Sequence, residues 1–317
     1  MAKNGALNKA SIAKEDEFYT KMSDIEKELK HYKEHFRDKV VFCNCDDPEA
    51  SNFWKYFELN FEFLGLKKLI ATHYEDSKPS YKLELIRDEN EDGRVDKQDI
   101  VKTPLVQNGD FRSPECMEIM DSADIVVTNP PFSLFREYIA LLLEHRKSFL
   151  VIGSQNNVTY KEIFPLLKDN KLWLGYHSGD MEFVVPDYYK PRATRYREEN
   201  GIKYRSMGNI CWFTNLDIEK RHESLILYRN YDEMSFPQYD EYNAINVSKV
   251  SEIPFDYEGI MGVPITFLCK HNPEQFEIVG LDRYVEDNPH YGHRFKINGK
   301  ETYARILIRR RKQPHEN

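Results

Sequence analysis

The chain has 317 residues, 40% hydrophobic and 31% charged, with a net charge of −8. It has the apolar content for one large domain or two smaller ones around a real core, and it is too acidic to be coated in positive potential. No apolar run approaches bilayer length and residues 1–20 hold no apolar signal region, so a cytoplasmic protein is expected. The five cysteines (Cys43, Cys45, Cys116, Cys211 and Cys269) form no C-x-x-C pair, which argues against a zinc site or a disulfide framework.

Ile25, Leu29, Tyr32 and Phe36 recur at helical spacing, so residues 21–37 are predicted to form an amphipathic helix. "KVVFCNCDDP" reads as a buried strand ending in acids and a proline, with Cys43 and Cys45 as packing positions. "ASNFWKYFELNFEFLG" is an aromatic-rich helix that stops near Gly65, and "LKKLIATHYED" is a second acid-tipped strand. Two short strand-like runs around "NEDGR" predict a β-hairpin or insertion. "NGDFRSPECMEIMDSA" is a turn and helix, and it places Asp110 in the turn. Then come strand "DIVVTNPPF", helix "SLFREYIALLLEHR", strand "KSFLVIGSQ", helix "TYKEIFPLL" and strand "KLWLGYHS".

Strands alternating with helices predict an α/β fold with a parallel sheet, which binds ligands at the carboxyl ends of its strands. Those ends carry Asn44, Asp46 and Asp47, then Glu75, then Asn129. The pattern weakens near residue 180. Residues 1–180 are therefore expected to form one domain and 181–317 another, with "NICWFTN" returning a strand near 209–215 to the sheet.

The tetrapeptide Asn129-Pro130-Pro131-Phe132 is the most specific signal. Two prolines hold the chain stiff and donate no backbone hydrogen bonds. An asparagine oxygen and a proline carbonyl held side by side can accept both hydrogens of one exocyclic amine. That directs the nitrogen lone pair outward and stabilises the positive charge that grows as it attacks an electrophile. Phe132 can stack on a flat base, which must leave a duplex to reach such a pocket. The sulfonium methyl of S-adenosylmethionine is the electrophile these features suit. The acids at neighbouring strand ends can meet its ammonium and ribose hydroxyls, and Asp110 its adenine amine. No metal is required.

The basic residues cluster despite the net charge. Lys190, Arg192, Arg195, Arg197, Lys203 and Arg205 lie in one stretch beside Glu198 and Glu199, and Arg305, Arg309, Arg310, Arg311 and Lys312 form a second group. These groups read either as a solvated face and a charged tail or, on a protein that acts on DNA, as contacts to phosphates or guanine edges, with the first stretch the first choice and Arg309 and Arg310 second.

The chain closely resembles the EcoRI-type adenine-specific (N6) DNA methyltransferase family. The resemblance rests on "DEFYT" (16–20), "VVFCNCDDPEASNFWKYF" (40–57), "LGLKKLIA" (64–71), "GDFRS" (109–113), "SADIVVTNPPFSLFREY" (122–138), "TYKEIF" (159–164), "NKLWLG" (170–175), "YNAINV" (242–247) and "GVPITFLCKHNPEQFEIVG" (262–280). It implies a Rossmann-like catalytic domain followed by a mixed α/β DNA-recognition region, acting as a monomer on double-stranded DNA with S-adenosylmethionine, as in bacterial restriction-modification systems. It also implies that Phe18, Tyr19 and Thr20 cover the cofactor's methionine end. Asn44, Cys45, Asp46, Asp47 and Glu75 would be further cofactor contacts, and Asp110 and Phe111 would hold its adenine. The turn after the first sheet strand holds no glycine where most methyltransferases are glycine-rich. Two alternatives stay open: a catalytically silent DNA-binding module, and an amine methyltransferase acting on RNA adenine or protein glutamine.

Overall fold

The computed structural model describes residues 18–45, 47–74, 80–86, 93, 95 and 97–311. Their contacts fall into two units. One holds the described residues through Gln155 together with Gly175–Leu216, and the other holds Asn156–Leu174 and the described residues from Asp217 onward.

The large sheet lies almost wholly in the first unit. Its strands are β1 (Tyr19–Thr20), β2 (Val40–Cys43), β3 (Lys68–Thr72), β4 (Tyr81–Leu85), β5 (Val101–Pro104), β6 (Ile125–Thr128), β7 (Ser148–Ser154), β8 (Trp173–Val185), β9 (Tyr196–Glu199) and β10 (Ile202–Thr214). They are ordered β1-β8-β10-β7-β6-β2-β3-β4-β5, with β9 on β10. The centre is parallel: β2 pairs with β3 and β6, and β6 with β7. Every residue of β2 and β6 is buried, which is why these strands read as unbroken apolar runs. β4 and β5 form the expected hairpin, antiparallel to each other, and β4 pairs antiparallel with β3. β10 closes the other side antiparallel to β7, bringing "NICWFTN" into the sheet.

The helices of this unit are α1 (Met22–Leu29), α2 (Lys33–Phe36), α3 (Asn52–Leu59), α4 (Phe61–Leu64), α5 (Pro114–Ser122) and α6 (Phe135–Glu144). The amphipathic segment 21–37 is helical but not continuous, because a 3-10 turn at Lys30–Tyr32 separates α1 from α2. Its four apolar positions, Ile25, Leu29, Tyr32 and Phe36, are each 0% exposed. Burying side chains of this kind contributes about 1.5–3 kcal/mol apiece. The aromatic helix breaks at Asn60, and Gly65 ends it in the left-handed conformation, as a helix-terminating glycine does.

α1 also carries a carboxylate into the core. Glu28 is 0% exposed. Its Oε1 accepts from the Tyr32 hydroxyl at 2.9 Å and Tyr176 N at 2.7 Å. Its Oε2 accepts from His177 N at 2.9 Å and lies 2.7 Å from His177 Nδ1. Gly175 permits the approach: a Cβ there would stand 2.2 Å from Glu28 Oε1 and 2.9 Å from Trp212 Cβ.

The second unit contains α7 (Phe164–Lys168) and the strands β11 (Ile245–Asn246), β12 (Met261–Pro264), β13 (Phe276–Leu281), β14 (Lys296–Ile297), β15 (Lys300–Glu301) and β16 (Arg305–Arg310). Four of them form a sheet ordered β11-β12-β16-β13, while β14 and β15 pair separately. A cluster of Tyr239, Ala244, Phe295 and Leu307 belongs to its core. Asn246 Oδ1 accepts from the Tyr239 hydroxyl at 3.0 Å and from Arg305 Nε at 2.9 Å, so Arg305, at 8% exposure, is a core residue.

Asp282 is 0% exposed, its Oδ2 has no hydrogen-bond partner, and burial pushes its carboxyl up to about 6. A carboxyl raised above its unfolded value adds stability below that value and loses it as pH rises through the folded one. Asp282→Asn is therefore expected to raise the thermal midpoint at pH 8, with the gain shrinking towards pH 4. Circular-dichroism melts at pH 4, 6 and 8 read this directly, and a gain independent of pH contradicts it. No described helix is long and apolar enough to cross a membrane.

Candidate active site

The tetrapeptide follows β6, one of the central parallel strands. Asn129 is 5% exposed. Its Nδ2 donates to the Phe18 carbonyl at 2.6 Å, while its Oδ1 is buried and has no hydrogen-bond partner. A buried acceptor left unpaired costs about 1–3 kcal/mol, so this oxygen marks a place where the fold forgoes stability. The Pro131 carbonyl accepts from Leu134 N at 2.9 Å, closing the turn that leads through Phe132–Leu134 into α6. Pro130 is buried and Phe132 half-buried. The Phe132 ring stacks on Phe18 at 5.5 Å and 24°, and both meet Phe183.

Phe18 reaches this position through β1. Tyr19 and Thr20 pair with Val184 and Phe183 of β8, and Asn52 Nδ2 donates to the Thr20 carbonyl at 2.8 Å. Thr20 Oγ1 is buried without a partner. Beyond β2, Asn44 is 1% exposed. Its carbonyl accepts from Thr128 Oγ1 and its Oδ1 from the Tyr138 hydroxyl, while its Nδ2 is partnerless. Cys45 follows with φ +70. The backbone thus takes, at a non-glycine residue, the left-handed conformation that glycine adopts at little cost.

Asp47 Oδ1 accepts from Glu49 N at 3.0 Å and from the Tyr81 hydroxyl at 3.5 Å. Asp46 and Glu75 lie outside the described residues. Asp110 is set by Gly109, whose φ is +79 and where a Cβ would stand 1.8 Å from the His73 carbonyl oxygen. Arg112 grips the Asp110 carboxylate with both Nε, at 2.9 Å, and the second guanidinium nitrogen, at 2.7 Å. Burial raises the Asp110 carboxyl, but the Arg112 guanidinium and backbone N–H outweigh it and the net shift is downward. Phe111 packs edge-on against Tyr138 at 5.0 Å.

Direct contacts therefore tie four separate motifs together. Phe18 meets Asn129, Thr128 and Tyr138 meet Asn44, and Phe111 meets Tyr138. Sequence reasoning missed the residues that hold this group, namely Asn52, Arg112, Thr128 and Tyr138. Tyr138 carried only a helical-spacing signal, which marks packing and says nothing of a hydroxyl.

The expected DNA contacts of the first unit lie on and beside the β9–β10 hairpin, which turns through Asn200 and Gly201, both at positive φ. Most of these cations have internal partners. Arg197 pairs with Glu182 at 2.8 and 2.9 Å and with Glu199, and it lies 3.8 Å from the Tyr204 ring centroid. Chiefly through Arg197, the Glu182 carboxyl falls to about 2. Arg195 reaches Asp180 at 3.3 Å, Lys203 donates to the Asp187 carbonyl, and Arg205 donates to the Thr194 carbonyl at 2.6 Å. Arg192 sits 5.9 Å from the Tyr189 ring, and Lys190 is exposed. In the second unit Arg309 lies 3.8 Å from Glu277, and Arg310 donates to the Phe255 carbonyl. Among the described residues no group of three or more His, Cys, Asp or Glu is placed to hold a metal.

A mixed α/β sheet with a rigid amide-bearing turn after a central strand is the layout of a group-transfer enzyme that acts on planar amines. Comparison with known proteins makes this specific. The family described as "Adenine-specific methyltransferase EcoRI" matches residues 6–311, and the chain belongs to it. It is 48% identical to the type II methyltransferase M.EcoRI of Escherichia coli, covering 98% of each chain. It is 40% identical to M.MpnI of Mycoplasma pneumoniae and 39% to M.MgeORF184P of Mycoplasma genitalium, in both cases over 96% of this chain and 98% of the relative. No solved structure matches it.

Proposed function

We propose that the chain is a site-specific DNA methyltransferase. It transfers a methyl group from S-adenosylmethionine to N6 of an adenine flipped out of duplex DNA, in a Rossmann-like catalytic domain. The observation that carries this reading is the partnerless Oδ1 of Asn129, an acceptor kept free of protein donors inside a motif built for acceptors. Three relatives named as type II methyltransferases support a restriction-modification setting.

The residues present fit the cofactor. Thr20 Oγ1 and Asn44 Nδ2 are buried polar atoms with no protein partner, and a ligand rich in hydroxyl, amine and carboxylate groups can satisfy them. Tyr19, Cys45 and Asp47, with Asp46 and Glu75, would hold its ribose and methionine ends, and Asp110 and Phe111 its adenine. When bound, it supplies an electrophilic methyl group. The protein's part is orientation. Asn129 Oδ1 accepts one hydrogen of the target amine. Pro131's carbonyl serves the turn, which leaves the Pro130 carbonyl to accept the other. The two acceptors hold the amine lone pair away from the ring and offset the positive charge that develops on nitrogen. Phe132 offers a flat apolar surface for the extruded base, and Phe18, stacked on Phe132, would cover the cofactor's methionine end. The spare proton leaves to water.

DNA contact falls to the β9–β10 hairpin and to Arg309 and Arg310. The enzyme works as a cytoplasmic monomer, since a single flipped base needs one site. The direct test is to incubate the protein with duplex DNA and methyl-labelled cofactor, digest to nucleosides and identify the labelled product. N6-methyladenine is expected. Label in another nucleoside, or none with DNA but transfer to RNA or a glutamine peptide, overturns the assignment.

A further inference from the structure

The second unit holds a cleft lined by His290, His293, Arg294, Lys296 and Glu241. It lies outside both basic clusters legible in the sequence. Its cations differ from those of the hairpin, where Arg195, Arg197, Lys203 and Arg205 all have protein partners. Among the described residues, no side-chain hydrogen bond or ion pair engages His290, His293, Arg294 or Lys296. Arg294 Nε is buried and has no hydrogen-bond partner. The one acid lining the cleft, Glu241, is turned to the backbone, accepting from Lys296 N at 3.0 Å. The nearby buried Asp282 interacts electrostatically with Arg294 but makes its side-chain hydrogen bond to Arg283 N at 2.9 Å.

The segment that presents these cations is built, not loose. Asn288 is 5% exposed. Its Nδ2 donates to the Asp282 carbonyl at 2.8 Å and to the His293 carbonyl at 3.2 Å, and its Oδ1 accepts from His290 N at 2.8 Å. His293 N closes on the His290 carbonyl at 2.8 Å. Asp240 accepts from Asn298 N and Gly299 N, fixing the β14–β15 turn that follows Lys296. Unpaired donors held by a rigid frame, on a chain of net charge −8, are arranged for an external anion.

We infer that this cleft is a phosphodiester subsite for the backbone of duplex DNA, additional to the hairpin. Arg294 and Lys296 supply the charge, and His290 and His293 supply ring N–H donors. Such contacts set register on the duplex without reading sequence. The inference rests on DNA being the substrate.

The test uses the full chain and a labelled duplex of arbitrary sequence, because phosphate contacts are sequence-independent. Affinity is measured across a salt series for the wild type, Arg294→Gln, the Arg294→Gln/Lys296→Gln pair and the charge-conserving Arg294→Lys. Each lost phosphate contact makes the slope of log affinity against log salt shallower by about 0.9. The expected result is a slope shallower by about 0.9 for Arg294→Gln and by about 1.8 for the pair, with the wild-type slope kept in Arg294→Lys and unchanged melting curves throughout. An unchanged slope in both glutamine variants overturns the subsite and leaves the DNA reading standing. A wild type that binds no duplex removes both. Millimolar inorganic phosphate is the last arm. If it raises the melting temperature of the wild type but not of Arg294→Gln, while DNA slopes stay equal, the cleft is a free-phosphate site and the inference fails.

Discussion

Asn129→Ala is expected to lower the single-turnover rate of methyl transfer by about 10²–10³-fold, the scale on which loss of one preorganised polar partner of a charged transition state is felt. Cofactor and DNA affinities should change little, because the interaction matters most as charge builds on the amine. The fold should tolerate the change: alanine removes a buried oxygen that has no protein partner and leaves only the Phe18 carbonyl without its donor, at 2.6 Å in the parent. Asn129→Asp sharpens the test. It keeps an acceptor but turns a second oxygen towards the Phe18 carbonyl, so it should recover only part of the loss. A rate within tenfold of the parent for Asn129→Ala would remove Asn129 from the mechanism.

Glu28→Ala should have the largest effect on stability. It deletes a fully buried carboxylate and strands the Tyr32 hydroxyl, two backbone N–H groups and His177 Nδ1. Breaking a buried charged interaction from one side costs about 3–5 kcal/mol. In a unit of this size each kilocalorie moves the midpoint by about 2–4 °C, so a fall of about 6–20 °C is expected. Glu28→Gln keeps the shape and one acceptor oxygen but sets an NH2 against the His177 donors, and it should fall between. Gly175→Ala attacks the same place from the opposite side, since its Cβ would overlap Glu28 Oε1 at 2.2 Å. Thermal or denaturant unfolding reads all three. Parent-like midpoints for Glu28→Ala would mean that α1 is not secured to β8 through this carboxylate.

The centre of the fold was legible because burial on both faces leaves a plain mark. "VVFC" and "IVV" are unbroken apolar runs, and a strand buried on both faces has no reason to alternate. The helix stop at Gly65 was legible from turn chemistry and the pairing of β4 with β5 from two strand-like runs, while the turn signal "NEDGR" between them, apart from Gly93, lies outside the described residues. Polar support was not. Glu28 reads as one charge among many in "DIEKELKHYKEH", and only the approach of Gly175, Tyr176 and His177 from a distant strand makes it a core residue. Cys45 hid the backbone conformation after β2 for a similar reason: a left-handed turn usually announces itself through glycine, and here the surroundings impose it. The strand pattern suggested a division near residue 180, whereas contacts group 156–174 with the C-terminal part and 175–216 with the sheet. Long-range pairing decides that grouping, and no local window of sequence contains it. Asn129 to Phe132 were legible from their own chemistry and Phe18 only through a resemblance, but the stacking of Phe18 on Phe132 and the orphaned amide oxygen required coordinates.

The partner that sets the direction of the Asn129 amide is the main-chain oxygen of residue 18. Every amino acid carries that oxygen, so a scan of single replacements at this position would pass over its role and report only on the ring. Removing one residue between β1 and α1 would instead slide the strap along β8 and present a different atom to the amide. Tolerance of side-chain change combined with intolerance of length change is therefore the genetic signature of this contact.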